Sequence, residues 1–336
     1  MNKWLLLVVT GALILPLLSA SDTSEQQEAI RRMEQAVSKT NIFELPSFQL
    51  KASVQIDNQG RPLDGYYQLL WNGPEQWREE INFPGYTEVQ VGGKGTVAIH
   101  RSTGFIPLRI YELHAALGFG SNAPGSESGG FWSFSQLGLA PKDIVRKTRS
   151  RKEHGEKLTC VEIENELKHS YEMCVSDSMG TPLRSSSYHD DDFQPVGGKV
   201  FPRFLSFAVK GKTVAKVNVS ELIAPAQFPP NSFTPPAGVA PQAGCMNPLP
   251  IRLVKRVMPE YPRSAREQHV QGLVALDVWI SVEGVPRIGQ TVANPSVELQ
   301  KSSTDAITGW RYEPAKCNGQ PVPIETVLRV DYTLSP

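Results

Sequence analysis

Several short stretches of this 336-residue chain hold residue types that could carry out catalysis. Residues 118–123 read GFGSNA, the glycine spacing of a dinucleotide-binding turn, but they follow a helical pattern and run into PGSESGG, so no helix follows to hold a phosphate. Residues 91–96 read VGGKGT and lack the spacing of a phosphate loop, and the chain contains neither a HExxH nor a GxSxG motif. The sequence therefore predicts a protein that is not an enzyme and that needs no cofactor.

Two charged clusters are candidates for binding an ion or a nucleic acid. Residues 189–192 read HDDD, and clustered carboxylates suit Ca²⁺, but the ligand spacing and distal Glu of an EF-hand are absent, which favours a solvated loop. Residues 146–157 read RKTRSRKEHGEK, where charges alternate with polar residues before a strand, which favours a solvent-facing hairpin. Lys plus Arg equals Asp plus Glu, 34 against 34, so the charge balance indicates no nucleic-acid partner.

The four cysteines, an even number, indicate disulfide bonds in an exported protein. A hairpin turning at residues 165–169 would place Cys160 and Cys174 opposite each other on neighbouring strands. This pairing leaves Cys245 and Cys317 to close a long loop. A structural zinc site is the alternative, although the chain offers no CxxC pair and no His at ligand spacing.

The amino-acid pattern of residues 1–20 predicts that the chain is exported from the cytoplasm. They carry one charge, at Lys3, and then an apolar run that ends in two small residues, as in a cleaved secretory signal. The run is shorter than the roughly 20 residues of a membrane-spanning helix, and Pro16 interrupts it. We therefore expect a periplasmic protein, with an uncleaved inner-membrane anchor as the alternative.

The stretch from residue 222 to residue 250 divides the chain. It is dense in Pro, with Gly, Ala and Asn, and Pro fixes φ and removes backbone donors, so the stretch is predicted to be an extended connector. The predicted organisation is a signal at residues 1–20, an antiparallel β domain at 21–238, a linker at 239–250 and a second domain at 251–336.

The first domain is predicted to be mostly antiparallel sheet. Residues 24–40 carry apolar side chains at helical spacing, and the pattern then changes to period two in a series of short runs, of which residues 48–56 are the clearest. A helical stretch at residues 108–119 interrupts these runs. Many short strands at regular spacing favour a curved sheet or half-barrel with helices.

The second domain is predicted to be a small α+β unit. A short helix precedes Gly272, and apolar residues then alternate over residues 274–282. Ser296 can cap a second helix, and the Asn-Gly pair at residues 318–319 supplies a turn. The final strand presents an apolar face from residue 324 to residue 334, and we expect it at the edge of its sheet. The fold class of the whole chain is therefore α+β.

The order of elements in the first domain resembles the LolA-type lipoprotein-carrier fold over residues 25–238. The resemblance rests on a leading helix, successive antiparallel strands, an inserted helix and the late stretch MGTPLRSSSY (179–188). It implies a half-open barrel with an apolar cavity, and therefore a lipid or another apolar ligand. No residue is carried over from it.

Three separated stretches of the second domain resemble the TonB C-terminal domain family in order and spacing. They are PEYPRSAR (259–266), QGLVALDVWISVEGVP (271–286) and AITGWRYEPAKCNGQPV (306–322). The resemblance implies a domain that binds an envelope partner, such as a segment of an outer-membrane receptor, by pairing its last strand with it.

Carried over by position, the resemblance assigns partner contact to Tyr261 and Pro262 and to four residues of the last strand, Val327, Leu328, Arg329 and Val330. The chain also departs from an energy-transducing TonB. Its N-terminal apolar run contains no His of a Ser-x-x-x-His motif, and a folded domain stands in place of a long Pro-rich arm. Proton-motive coupling is therefore not expected.

Overall fold

The computed structural model describes residues 24–58, 61–117, 144–153, 155–164, 170–185, 188–209, 211–245 and 251–334. The predicted signal, the GFGSNA stretch and the turn predicted at residues 165–169 lie outside the described residues. Within the described ranges, no helix combines the length and the apolar character needed to cross a membrane.

Helix α1 (Ser24–Thr40) forms at the predicted residues. Ala29, Met33 and Ala36 recur at helical spacing and are buried, so this face of the helix packs on the sheet. A 3₁₀ turn (Ile42–Glu44) follows, and the side-chain oxygen of Asn41 caps it by accepting from the Phe43 N–H at 3.2 Å.

The N-terminal part, residues 24–245, builds one antiparallel sheet of thirteen strands within the described residues. The strands before helix α2 (Leu108–Leu117) are β1 (Phe48–Asn58), β2 (Arg61–Trp71), β3 (Trp77–Phe83), β4 (Tyr86–Gly93) and β5 (Thr96–Arg101). The strands after it are β6 (Ile144–Glu153), β7 (Glu156–Glu164), β8 (Ser170–Ser176), β9 (Pro182–Ser185), β10 (Tyr188–Val196), β11 (Lys199–Val209), β12 (Lys212–Ile223) and β13 (Gln242–Ala243). The predicted period-two runs are therefore confirmed as strands.

The sheet has the order β13-β5-β4-β3-β2-β1-β12-β11-β10-β9-β8-β7-β6. Strand β1 joins its two halves, because Ala52 lies opposite Tyr67 of β2 and Val54 lies opposite Val217 of β12. Strand β13 was not predicted. Its residues belong to the predicted linker, yet they pair with β5 and cover that border of the sheet.

One face of this sheet carries the core of the N-terminal part. Alternation along β3 places Trp77, Ile81 and Phe83 on that face, where all three are buried. Helix α2 adds Ile110 and Leu113, which are 2% and 0% exposed, to the same core. Side chains of α2 therefore fill space on the inner side of the sheet.

The C-terminal part, residues 251–334, has the predicted α+β character. Its elements are β14 (Arg252–Lys255), α3 (Arg263–Glu267), β15 (Gly272–Ile280), β16 (Pro286–Ala293), α4 (Val297–Thr308), β17 (Arg311–Glu313), β18 (Ala315–Cys317), β19 (Gln320–Val322) and β20 (Ile324–Tyr332). The side chain of Ser296 caps α4 by accepting from the Leu299 N–H at 3.2 Å, as predicted. Asn318 and Gly319 turn the β18–β19 hairpin with φ values of 50° and 81°.

Two boundaries in the C-terminal part were predicted wrongly. Helix α3 ends at Glu267 and not near Gly272, because His269 adopts a left-handed φ of 54° that a helix cannot continue through. Strand β15 ends at Ile280, before Val282. A turn in which the Gly284 N–H donates to the Ser281 carbonyl at 2.9 Å leaves the Val282 side chain 40% exposed.

The HDDD stretch was also predicted wrongly as a loop. It lies in strand β10, where alternation turns the Asp190 side chain inward while Asp191 and Asp192 stay exposed. Burial raises the pKa of Asp190 well above its usual range. The basic run forms the exposed β6 and the start of its hairpin with β7, as predicted.

Candidate partner-binding site

The last strand, β20, lies at one border of the three-stranded sheet β16-β15-β20. It pairs with β15 from Ile324 opposite Ile280 to Tyr332 opposite Gly272. Within the described residues no strand pairs with its other border, which confirms the predicted edge position. The main-chain N–H and C=O groups of an unpaired border can template an added strand.

The side chains of β20 are engaged on both faces of its sheet. Leu328 and Val330 pack in the core that the sheet shares with α4. Val327 points to the opposite face and is buried in the core of the N-terminal part. Arg329, on the same face as Val327, is half-buried. Of the four predicted contact residues, three have buried side chains, so their main chain is what remains for a partner to pair with.

The structure brings Tyr261 to the end of the last strand. Its ring lies edge-on to Tyr332 of β20 with centroids 5.2 Å apart, and its hydroxyl donates to the Val270 carbonyl at 2.5 Å. Pro262 immediately precedes α3 and lines an open groove with Met258, whose side chain is 69% exposed. Both residues are half-buried: Tyr261 packs next to β20, and Pro262 lines the groove.

A buried ionic network connects the N-terminal part to β20. The Arg101 guanidinium of β5 donates to Glu88 of β4 and to Glu325 of β20, each at 2.5 Å. The Arg101 side chain is 11% exposed and the two carboxylates are less so. Ion pairs this well removed from water depend on good geometry, because their desolvation cost is large.

His114 of α2 joins the same network. Its Nε2 lies 2.9 Å from Glu88 Oε1 and its Nδ1 lies 3.5 Å from Glu79 Oε1. Burial alone would lower the pKa of His114, but the two carboxylates outweigh burial and raise that pKa well above its ordinary value. Burial likewise opposes ionisation of Glu88, but His114 and Arg101 hold its pKa well below the usual range.

Glu79, Glu88 and His114 have ligand atoms within 4.8 Å of one another, which is close enough for a metal ion. Each ring nitrogen of His114 faces a different carboxylate, however, and a metal would take a single ring nitrogen together with both acids. The arrangement is therefore that of an imidazolium held between two carboxylates.

Asp277 of β15 lies beside Glu325 on the face that meets the N-terminal part. Burial, followed by the charge of Glu325, raises the pKa of Asp277 to about 7. Gly289 leaves room for this carboxyl group, because a Cβ there would lie 2.7 Å from Asp277 Oδ2. Asp277 Oδ1 and Glu325 Oε1 are buried without a hydrogen-bond partner among the described residues, so ionisation of Asp277 beside Glu325 is costly.

A cavity of about 100 Å³ lies between the two parts, next to this network. Its lining comes from β5, α2, β13, the β15 strand and the start of β20, and includes Arg101, His114, Trp279 and Glu325. The contact between the two parts is therefore polar and incompletely packed next to the network, whereas Ala275 and Val327 are buried in apolar packing elsewhere along it.

Comparisons with known proteins agree with the residues that suggested a TonB-like domain. Residues 257–334 match the family model described as Gram-negative bacterial TonB protein C-terminal. Over 74 residues the chain is 31% identical to protein TonB of Vibrio cholerae serotype O1. The aligned segment covers 22% of this chain and 30% of that protein, so the chain spans about a third of its relative.

Solved structures similar to the chain include a LolA superfamily protein and a domain described as an outer membrane lipoprotein-sorting protein. A LolA superfamily protein from Nitrosomonas europaea aligns with 61% of this chain and 97% of its own, at 16% identity and a TM-score of 0.38. A lipoprotein-sorting protein domain from Vibrio parahaemolyticus aligns with 62% of this chain and 97% of its own, at 10% identity and a TM-score of 0.40.

The ionic network between the N-terminal sheet and the TonB-like domain was missed at the sequence level. Part of the signal was present: Glu79 follows Trp77 by two residues in a period-two strand, so it must point to the same inner face as Trp77. Glu88 likewise shares a face with Tyr86. A buried carboxylate at an inward position needs a cationic or hydrogen-bonding partner. The two partners, Arg101 and His114, lie on β5 and α2, and the tertiary fold decides whether these elements reach Glu79 and Glu88.

Both predicted disulfides are confirmed. Cys160 and Cys174 face each other across the β7–β8 pair with Cα atoms 4.0 Å apart. The Cys245–Cys317 bridge connects Cys245, which follows β13 closely, to Cys317 in the β18–β19 hairpin of the TonB-like domain. The second bridge therefore ties that domain to the border of the N-terminal sheet.

Proposed function

We propose that this chain is a TonB-type protein of the Gram-negative cell envelope that works in the periplasm and binds an extended segment of an envelope protein. The segment adds as a strand along the unpaired border of β20 in the TonB-like domain. The observation that carries this proposal is the edge position of β20 in the order β16-β15-β20. An outer-membrane receptor segment is the kind of partner that the family resemblance suggests.

Main-chain pairing would supply most of the affinity. Each inter-strand hydrogen bond contributes about 0.5 to 1.5 kcal/mol net, so four or five of them give a moderate affinity without any side-chain pocket. Specificity then depends on the neighbouring surface, where Pro262 and Met258 line the open groove beside α4. Binding of this kind needs no catalysis, no cofactor and no nucleic acid.

We favour partner binding over the alternative, a carrier of lipid or another apolar ligand. A carrier needs an apolar cavity inside a half-open barrel. In the described residues Ile110 and Leu113 of α2 are buried on the inner side of the sheet, so the helix occupies that space. We also infer that the protein acts without proton-motive coupling, because its N-terminal run lacks the His of the TonB motor motif.

The test uses two proline variants of adjacent residues, Arg329→Pro and Val330→Pro. Successive residues of an edge strand direct their N–H groups alternately to the paired and the unpaired border, so one variant removes an outward N–H and the other removes a ladder bond to β15. The outward variant should keep a melting temperature near that of the wild-type protein.

The readout is cross-linking of the exported chain to envelope proteins, with the cross-linked residues mapped by mass spectrometry. We expect cross-links at β20 that disappear in the outward proline variant and persist in a Glu313→Gln control, which alters only surface ion pairs with Arg252 and Lys316. If the outward proline variant captures the same partner at the same level, strand addition at β20 is not the binding mode.

A further inference from the structure

One tyrosine of α2 contacts side chains that leave β20 on opposite faces. The Tyr111 hydroxyl lies 3.2 Å from Thr326 Oγ1, and the Arg329 guanidinium carbon lies 6.0 Å from the centroid of the Tyr111 ring. Thr326 and Arg329 are three residues apart in a strand, so their side chains point in opposite directions. The paired border of β20 is occupied by β15, so Tyr111 lies across the other border.

Helix α2 is itself fixed to the N-terminal sheet. Ile110 and Leu113 are in its core, and the ring of His114 is held between two carboxylates of β3 and β4. The Arg109 Nε donates to the Asp57 carbonyl of β1 at 2.9 Å. The helix therefore cannot leave β20 easily on its own, and exposure of the border requires the TonB-like domain to move away from α2.

Polar and apolar contacts oppose that movement. The Arg101–Glu325 ion pair and the Tyr111–Thr326 hydrogen bond hold the two parts together. Ala275 and Val327 are buried in the N-terminal core, and Leu273, Val292 and Ala293 pack against it. The cavity of about 100 Å³ leaves part of this contact unpacked. Opening exposes the apolar packing to water, so the open arrangement should be a minor population of the molecules.

We propose, resting on the proposed function, that α2 is the resident occupant of the β20 border and that a partner segment competes with it. In the closed arrangement Tyr111 covers the middle of the border, and an extended segment gains access when the TonB-like domain separates from the N-terminal part. The Cys245–Cys317 bridge keeps the separated domain tethered beside β13, so the domain stays close to α2 and can return to it quickly.

This competition lowers the apparent affinity for the partner. When only a fraction of molecules is open, the apparent Kd equals the intrinsic Kd divided by that fraction. A substitution that weakens the closed arrangement should therefore strengthen partner capture by the factor by which it raises the open fraction, up to the limit of the fully open protein.

The experiment measures amide hydrogen exchange of residues 324–332 in the full exported chain. The variants are Tyr111→Ala, which removes the covering side chain, and Glu325→Gln, which weakens the pair with Arg101. We expect exchange at β20 to accelerate about tenfold in either variant, the equivalent of about 1.4 kcal/mol. Exchange within α4 should stay unchanged, as should both segments in the Glu313→Gln control.

Unchanged exchange at β20 in both variants, each with a wild-type melting profile, would overturn the proposal. If Tyr111→Ala does not fold, Tyr111→Phe replaces it, since this change removes only the hydroxyl contact with Thr326. Cross-linking of the same variants to envelope proteins distinguishes the covering of β20 by α2 from strand addition at β20. Faster exchange without any capture at β20 refutes strand addition while leaving the covering role of α2 in place.

Discussion

The carboxyl of Asp277 should make the protein less stable as the pH rises, and its replacement by Asn should remove that dependence. Its pKa is raised from an ordinary 3.8 to about 7 by burial and by Glu325. Below about pH 4 the group is protonated in the folded and the unfolded chain. Between about pH 4 and pH 7 it ionises mainly in the unfolded chain, so the free energy of unfolding falls over that pH range.

The size of the effect follows from the pKa difference. Each pKa unit corresponds to about 1.4 kcal/mol, so the ionised carboxylate costs the folded protein up to about 4 kcal/mol at pH 8. Asn has almost the same shape as Asp and carries no charge at any pH in this range. Asp277→Asn should therefore raise the free energy of unfolding by up to about 4 kcal/mol at pH 8 and leave it nearly unchanged below about pH 4.

Urea denaturation, followed by circular dichroism at several pH values from 4 to 8, measures this difference. Glu260→Gln is the control, because Glu260 is an exposed acid of the same C-terminal part. Its effect should stay within about 0.5 kcal/mol at every pH. If Asp277→Asn does not stabilise the protein at pH 8, or its effect does not grow with pH, then the buried acid pair is not a source of strain at this contact.

Three further changes test the packing that supports the site. Replacing Cys245 and Cys317 by Ser opens a bridge that spans 72 residues, and should lower the unfolding free energy by about 4 kcal/mol in urea titrations. Ser296→Ala removes the acceptor for the Leu299 N–H at the start of α4, and should cost about 1 kcal/mol in thermal melts. Gly92→Ala places a Cβ 2.3 Å from the Trp77 ring, and should cost about 1 to 3 kcal/mol in denaturation followed by Trp fluorescence.

The sequence predicts most strands and helices because their causes are local. Period-two alternation in β1 and β3, helical spacing in α1 and the cap at Ser296 each depend on residues close in the chain. The Cys160–Cys174 pair follows from the symmetry of a hairpin, and its partner pair then follows by elimination. The edge position of β20 was also expected, because it is the last element of a small sheet.

What the sequence does not predict depends on how separate elements approach one another. Strand β13 is two residues long within a Pro-rich stretch, and only the free border of β5 makes it a strand. The covering of β20 by Tyr111 and the pairing of Arg101 with Glu325 join residues more than 200 positions apart. No periodicity in either segment specifies such a contact, because the contact arises when the two parts dock.

The two ends of the large sheet differ in how they are protected. At one end β13 covers β5, whereas β6 forms the other end within the described residues and carries five basic side chains in the sequence IVRKTRSRKE. Arg146, Arg149 and Arg151 form ion pairs with Glu164 or Glu172. Charged side chains along an outer strand disfavour pairing with a second copy, so molecules should not join border to border into fibrils. Resistance to aggregation should thus depend on strand β6, an element separate from the proposed binding border of β20.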